Sequence, residues 1–341
     1  MRSFQYVRPT TLTAALQMGE GTDRGPVDAR TQYLAGGTTL IDLMKLDVLR
    51  PRKVVDLGGV GARHAVEFLP DRVNLSAFAT MAEVHEHPQI RSQLPVVAQT
   101  LGLAASAQLR NMARLGGNVL QKTRCPYFRD PTWPACNKRV PGSGCAALTS
   151  PNRNHAVLGV DDSCIAQYPG DFGVALIALD AHVHILGHRG PRTILFSALH
   201  RPAEGQPQLE TSLEAGDIIE GFEIPVRRWM ARSLYVKVRD RASYEFAISS
   251  VALALDLAGD SVRELRLGLG GMAYRPWRAC AAEDFMKGKR LTAECAEEAA
   301  RVALQGAMTR GDNAYKPSLA RATIVRALME AKALRAPGQA T

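Results

Sequence analysis

A chain of 341 residues is too long for one small core and points to two domains or three. Its 46% hydrophobic and 22% charged residues are those of a soluble globular protein, and no run approaches the roughly eighteen apolar residues of a membrane span. The net charge of +9 comes from 42 Lys and Arg interspersed with 33 acidic residues, with no basic run of five and no nucleic-acid motif. That excludes nucleic acid as the expected partner and leaves a solvated surface or an acidic protein. No basic stretch followed by an apolar one opens the chain, so it is expected to begin in the cytosol with no export address of its own and no membrane insertion.

In chain order, Thr31 to Ala35 reads as a strand running into Gly36 and Gly37. Leu40, Ile41, Leu43, Met44 and Leu46 then recur at helical spacing, and Pro51 closes the element. Lys53 to Leu57 is a second strand followed by a glycine turn. Thr80-Met81-Ala82-Glu83 has the form of a capping box, so a helix is predicted there, with broken helical spacing to about Arg110. From Gln121 to Tyr168 periodicity disappears; a structureless stretch of that length carries function or is disordered. Asp171 is a predicted N-cap for the apolar run Phe172 to Leu179, and a strand is predicted at about 181–186. The pattern resets near Pro225 to Arg228. Three strands are predicted around 232–239, 246–257 and 263–272, and helices near 280–288, 292–307 and 317–335.

Four of the six cysteines, Cys125, Cys136, Cys145 and Cys164, fall in the aperiodic stretch, with ten, eight and eighteen residues between them. None has the CxxC spacing of zinc ribbons or bacterial ferredoxins. Prolines, glycines and cationic neighbours (Arg124, Lys138, Arg139) surround them. Four thiolates on an iron–sulfur core carry net negative charge, which nearby cations and free N–H groups stabilise. A Cys₄ zinc site and two disulfides stay open beside the cluster. Cys280 and Cys295 read as ordinary buried thiols.

Ala35-Gly36-Gly37-Thr38-Thr39-Leu40 joins a strand to a helix, with glycines for close backbone approach, two hydroxyls, and unpaired N–H groups at the helix start. That chemistry suits a pyrophosphate, although the motif is not GxGxxG and equally describes a plain turn. Leu115-Gly116-Gly117-Asn118 offers a second such loop. Asp171 suits nucleotide hydroxyls or a cap, and Lys237, in an alternating strand, either faces solvent or supplies positive charge where a reduced flavin accumulates negative charge.

AGGTTLIDLMK, LGGN, PGDFGVALIALDA, KVRDRASYEFAISSVALAL and LGLGGMAYRPWRA, in this order, resemble the FAD subunit of the xanthine dehydrogenase and carbon monoxide dehydrogenase family, the molybdenum hydroxylases. The resemblance is strongest to the medium subunit of bacterial periplasmic aldehyde oxidoreductases, which share RCPYF, CNKR with PGSGCAAL, and KVRDRASY. Ordinary members pass from the GGN motif to the PxD motif in about ten residues. The cysteine-rich insertion between Asn118 and Asp171 therefore implies a 4Fe–4S cluster on Cys125, Cys136, Cys145 and Cys164.

By motif, the resemblance implies FAD held by Tyr33, Leu34, Ala35, Gly36, Gly37, Thr38, Thr39 and Leu40, with Arg114, Gly117, Asn118, Asp171, Ile219 and Lys237 completing the site. Arg114 stands where the family commonly has Ser or Thr; it cannot accept a hydrogen bond and either approaches the phosphate or turns outward. The implied fold is α+β: a two-lobed FAD-binding domain of the vanillyl-alcohol oxidase type at 1–225 (lobes about 1–60 and 61–225, insertion at about 121–168) and a C-terminal domain of the carbon monoxide dehydrogenase flavoprotein type at 226–341. Implied partners are a molybdenum cofactor-binding large subunit, a 2Fe–2S small subunit and an external electron acceptor. The whole complex would oxidise an aldehyde to a carboxylic acid, in the periplasm if a partner carries the export signal and otherwise in the cytoplasm. Two rivals remain: a self-sufficient flavin oxidase, for which His182, His184 and His188 read as surface residues rather than a catalytic base, and a zinc- or disulfide-stabilised scaffold without flavin.

Overall fold

Three sheets organise the chain in the computed structural model, which describes residues 1–19, 27, 29–60 and 64–334. The first is parallel, in the order Gln5–Val7, Lys53–Asp56, Thr31–Leu34. Parallel neighbours need a crossover, and here the return from Leu34 to Lys53 runs through the glycine loop and the helix Leu40–Lys45. The loop thus leaves the C-terminal end of a strand, the end where open α/β sheets place their ligands.

The second sheet is antiparallel: Val66–Phe68, Arg72–Ser76, Ile218–Pro225, His182–Gly187, Gly190–Leu195. Short helices from Met81 to Val119 cover it. The predicted capping box is present: Thr80 Oγ1 accepts from the Glu83 N–H at 3.1 Å, and Glu83 Oε2 accepts from the Thr80 N–H at 2.7 Å.

The third sheet, Trp277–Arg278, Ser261–Gly270, Ser249–Ala258, Ser233–Val238, is also antiparallel. Its apolar face packs on helices Cys280–Met286, Ala293–Ala303 and Lys316–Ala333 through Leu253, Leu255 and Leu267 against Ala296, Ile324 and Leu328. The three long strands and three helices after Arg228 lie near where the sequence places them, and the two-residue strand Trp277–Arg278 was not expected; residue 335, the expected end of the last helix, lies outside the described residues.

One helix ties the second sheet to the third. All seven residues of Phe172–Ala178 are buried, so it is a core rod rather than an amphipathic surface helix. Glycine in the LGLGG motif makes the fit possible: a Cβ at Gly268 would stand 2.4 Å from the Val174 carbonyl oxygen. The fold is thus mixed α+β.

Candidate functional site

The glycine loop and the second glycine motif meet. A Cβ at Gly36 would lie 1.9 Å from the Met112 carbonyl oxygen, and one at Gly117 would touch only the Ala35 Cβ, at 3.6 Å. The first helical hydrogen bond after the loop is donated by the Ile41 N–H to the Gly37 carbonyl, which leaves the preceding N–H groups for a ligand. Both loops open on a cavity of about 730 Å³, in the upper range for small-molecule sites.

Of the expected residues, Tyr33, Ala35, Gly36, Gly37, Thr38, Thr39, Leu40, Arg114, Gly117 and Ile219 line that cavity. Tyr33 is fixed by its hydroxyl, which donates to the Gly216 carbonyl at 2.9 Å; burial, with Asp217 nearby, pushes its pKa up to about 12. Arg114 donates to the Phe78 carbonyl at 2.9 Å, so its guanidinium is held by backbone at the cavity edge. Leu34, Asn118, Asp171 and Lys237 are not on this wall. Leu34 packs against the apolar cluster of Leu43 and Phe128. Asn118 Nδ2 faces Met81 Sδ at 3.5 Å, and its buried Oδ1 has no hydrogen-bond partner among the described residues.

Asp171 and Lys237 differ most from expectation. Asp171 begins its helix but makes no side-chain cap. Its carboxylate instead accepts from Lys237 Nζ at 2.6 Å and from the Tyr235 hydroxyl at 2.5 Å. Lys237 does not face solvent: its ammonium is buried against the Asp171 carboxylate, and the two side chains are 2% and 5% exposed.

A second group on the cavity wall centres on Glu210, which lies in no motif. Glu210 is ion-paired with Lys122 and, at 2.9 Å, with Lys138. Lys138 Nζ also donates to the Tyr274 hydroxyl at 2.8 Å and the Pro207 carbonyl at 3.2 Å. Burial alone would raise the Glu210 pKa, but the two ammonium groups hold it at about 2. Only the position of Lys138 in CNKR and of Tyr274 in GGMAYRP hinted at them.

Lys138 joins the cavity to the cysteines. An antiparallel bridge sets Cys136 beside Cys145, and the Cys164 thiol hydrogen-bonds to the Cys145 sulfur, lowering Cys145 to about 6. Burial pushes Cys125 up to about 12, with Cys136 and Cys145 close enough to add to it. Backbone N–H groups converge on the sulfurs: Tyr127 and Phe128 on Cys125, Ala147, Leu148 and Ile165 on Cys145, Ala166 on Cys164. All six cysteines are free thiols, which corrects the disulfide alternative. Among the described residues no three His, Cys, Asp or Glu side chains are drawn together as a site for a metal ion. What links the four thiols is their mutual contacts: Cys136 beside Cys145, Cys145 with Cys164, and Cys125 close to Cys136 and Cys145.

The segment is anchored on the glycine-loop helix. Arg129 and Arg124 pair with Asp42 at 2.9 and 3.4 Å, and Phe128 is buried among Leu43, Met44 and Val54. His182 and His184 are half-buried on the antiparallel sheet, and His188 is exposed in the turn that follows their strand.

Residues 2–227 match the family model for the FAD binding domain in molybdopterin dehydrogenase, and residues 234–331 match the CO dehydrogenase flavoprotein C-terminal domain. The chain is 36% identical over 334 residues to the aldehyde oxidoreductase FAD-binding subunit PaoB of Escherichia coli (strain K12), covering 98% of this chain and 99% of that one. It is 24% identical over 331 residues to the glyceraldehyde dehydrogenase medium chain of Sulfolobus acidocaldarius, covering 96% and 98%. Reconstituted CO dehydrogenase from Oligotropha carboxidovorans contains a chain of the same fold, with a TM-score of 0.74 over 97% and 98% of the two chains at 22% identity. Fold and cavity together define a FAD-binding flavoprotein subunit. The chain belongs to the FAD-binding subunits of the molybdenum hydroxylase family and is an oxidoreductase subunit.

Two outcomes test the site. Gly36→Ala forces a methyl group into the Met112 backbone, a strain of about 1–3 kcal/mol, and is expected to weaken FAD binding about tenfold or more, read by flavin titration. Glu210 has its carboxyl pKa depressed from 4.5 to about 2, so its stabilisation is full above pH 4.5 and lost as pH falls toward 2. Glu210→Gln leaves a buried ammonium unpaired. It is expected to cost about 3–5 kcal/mol at neutral pH and to flatten that acid dependence, as measured by urea unfolding at several pH values.

Proposed function

We propose that this chain is the FAD- and 4Fe–4S-containing electron-transfer subunit of a molybdenum-dependent aldehyde oxidoreductase. It takes electrons from a 2Fe–2S partner subunit and delivers them from FAD to an external acceptor. The observation that carries this reading is the convergence of Cys125, Cys136, Cys145 and Cys164 in one pocket, under backbone N–H groups, against the wall of the FAD cavity. Support comes from the 36% identity over nearly the whole length to a subunit named for aldehyde oxidation.

Bound FAD would link one-electron carriers to a two-electron acceptor, and a 4Fe–4S cluster would supply a further one-electron centre. The chain's own residues do the rest. Both glycine loops present backbone to the dinucleotide; Tyr33 and Ile219 shape one end of the cavity; Thr38 and Thr39 offer hydroxyls. The Asp171–Lys237 pair, with Tyr235, is read as a fixed buried dipole behind the cofactor rather than a direct contact. The cysteines would bind as thiolates; the N–H groups and Lys138 favour that state, against the burial that raises the free Cys125 and Cys164 thiols. The domain division proposed is 1–225 for FAD and cluster and 226–341 for the C-terminal unit.

Anaerobic addition of aldehyde to the complex co-expressed with its large and small subunits is expected to bleach the flavin, and the isolated chain is expected to stay oxidised. Bleaching of the isolated chain would instead establish a self-sufficient oxidase. Export with a partner's signal, the localisation proposed, predicts periplasmic protein that becomes cytoplasmic when that partner is deleted; cytoplasmic residence in both strains would contradict it.

A further inference from the structure

His155 lies against the cysteine pocket, and no motif or family resemblance assigns it a role. Its Nε2 is 3.2 Å from the Cys125 sulfur, inside the limit for a hydrogen bond to sulfur. The side chain is buried, with the Tyr127 ring 6.0 Å away and tilted 31°. Its Nδ1 makes no hydrogen bond of good geometry among the described residues, with the Asn152 carbonyl close to the ring. A sulfur that ligates iron carries no proton. An unprotonated Nε2 would then aim a lone pair at a negative sulfur, so the contact is attractive only when Nε2 holds the hydrogen.

The backbone carrying the ring is held both from within the cysteine segment and from the C-terminal unit. The His155 N–H donates to the Asn152 carbonyl at 2.9 Å. Its own carbonyl accepts from Lys316 Nζ at 3.0 Å. Lys316 is 0% exposed at the start of the long helix Lys316–Ala333 and also donates to Gln167 Oε1 at 2.8 Å. Asn313 Nδ2 holds the next carbonyl, that of Ala156, at 3.2 Å. A shift of residues 154–156 would strip the buried Lys316 amine of its acceptors, which is costly. The C-terminal unit therefore sets the position of the imidazole against Cys125.

We propose that His155 is a positioning residue that donates from Nε2 to the Cys125 sulfur, fixing that ligand and making the cluster easier to reduce; this rests on the cluster reading above. Donors to cluster sulfurs stabilise the more negative, reduced state. The contact spans chemistry and fold: sulfur from the insertion, imidazole steadied by a helix more than 150 residues further along.

The test is an anaerobic dithionite titration of the co-expressed complex, following the reduced cluster by electron paramagnetic resonance, for wild type, His155→Leu and His155→Gln. His155→Leu is expected to lower the one-electron reduction equilibrium about tenfold, a shift of roughly 59 mV to more negative potential. His155→Gln, which keeps an N–H donor, is expected to recover most of it. Loss of the cluster from the leucine variant alone, with the glutamine variant intact, would equally support a sulfur held by the donor. An unchanged potential in a fully loaded leucine variant would overturn the proposal, as would a glutamine variant as low as leucine or one that loses its cluster. Wild-type complex without iron and sulfide would overturn the cluster reading itself, a result distinct from a loaded wild type whose variants do not shift.

Discussion

The cysteine segment is pinned on two sides by buried or half-buried basic side chains, and the cysteine pocket and the FAD cavity both depend on that clamp. On one side Arg124 and Arg129 grip Asp42, on the helix that starts at the FAD glycine loop. On the other, Lys316 holds the carbonyls around His155 from the long C-terminal helix. A stretch of irregular backbone keeps its shape only if its polar groups find partners, and here the partners are supplied by the elements that build the cavity and the C-terminal unit. Moving the cysteines would therefore disturb the flavin loop.

Between the two sites the Lys122–Glu210–Lys138 network does the electrostatic work. One carboxylate between two ammonium groups leaves net positive charge in a buried setting. That balance is unfavourable in isolation and is suited to a neighbourhood of thiolates and phosphates. The Asp171–Lys237 pair, by contrast, is neutral overall and closes a core helix against a sheet. It joins two motifs that sequence reading assigned to the cofactor, and it does so by pairing them with each other.

What was legible in the sequence was local. The Thr80–Glu83 capping box, the strand–glycine–helix turn at Thr31 to Lys45 and the last three helices each rest on interactions within a few residues, and their patterns survive in one dimension. The strands Arg72–Ser76 and Ile218–Pro225 were not seen, because they pair with each other across more than 140 residues and the β-propensity of either alone is weak. For the same reason Lys237 reads as a solvent-facing residue: its partner is 66 positions away. Glu210, Tyr274 and His155 escaped because no spacing rule links them, only the folded surface they share.

The most direct test of the central claim is chemical: iron, acid-labile sulfide and FAD measured on this subunit after anaerobic separation from its complex. The account predicts about four irons and four sulfides for each FAD, in keeping with a 4Fe–4S cluster on four thiolates. Flavin with neither iron nor sulfide would contradict it, leaving a FAD subunit whose cysteine pocket serves some other purpose.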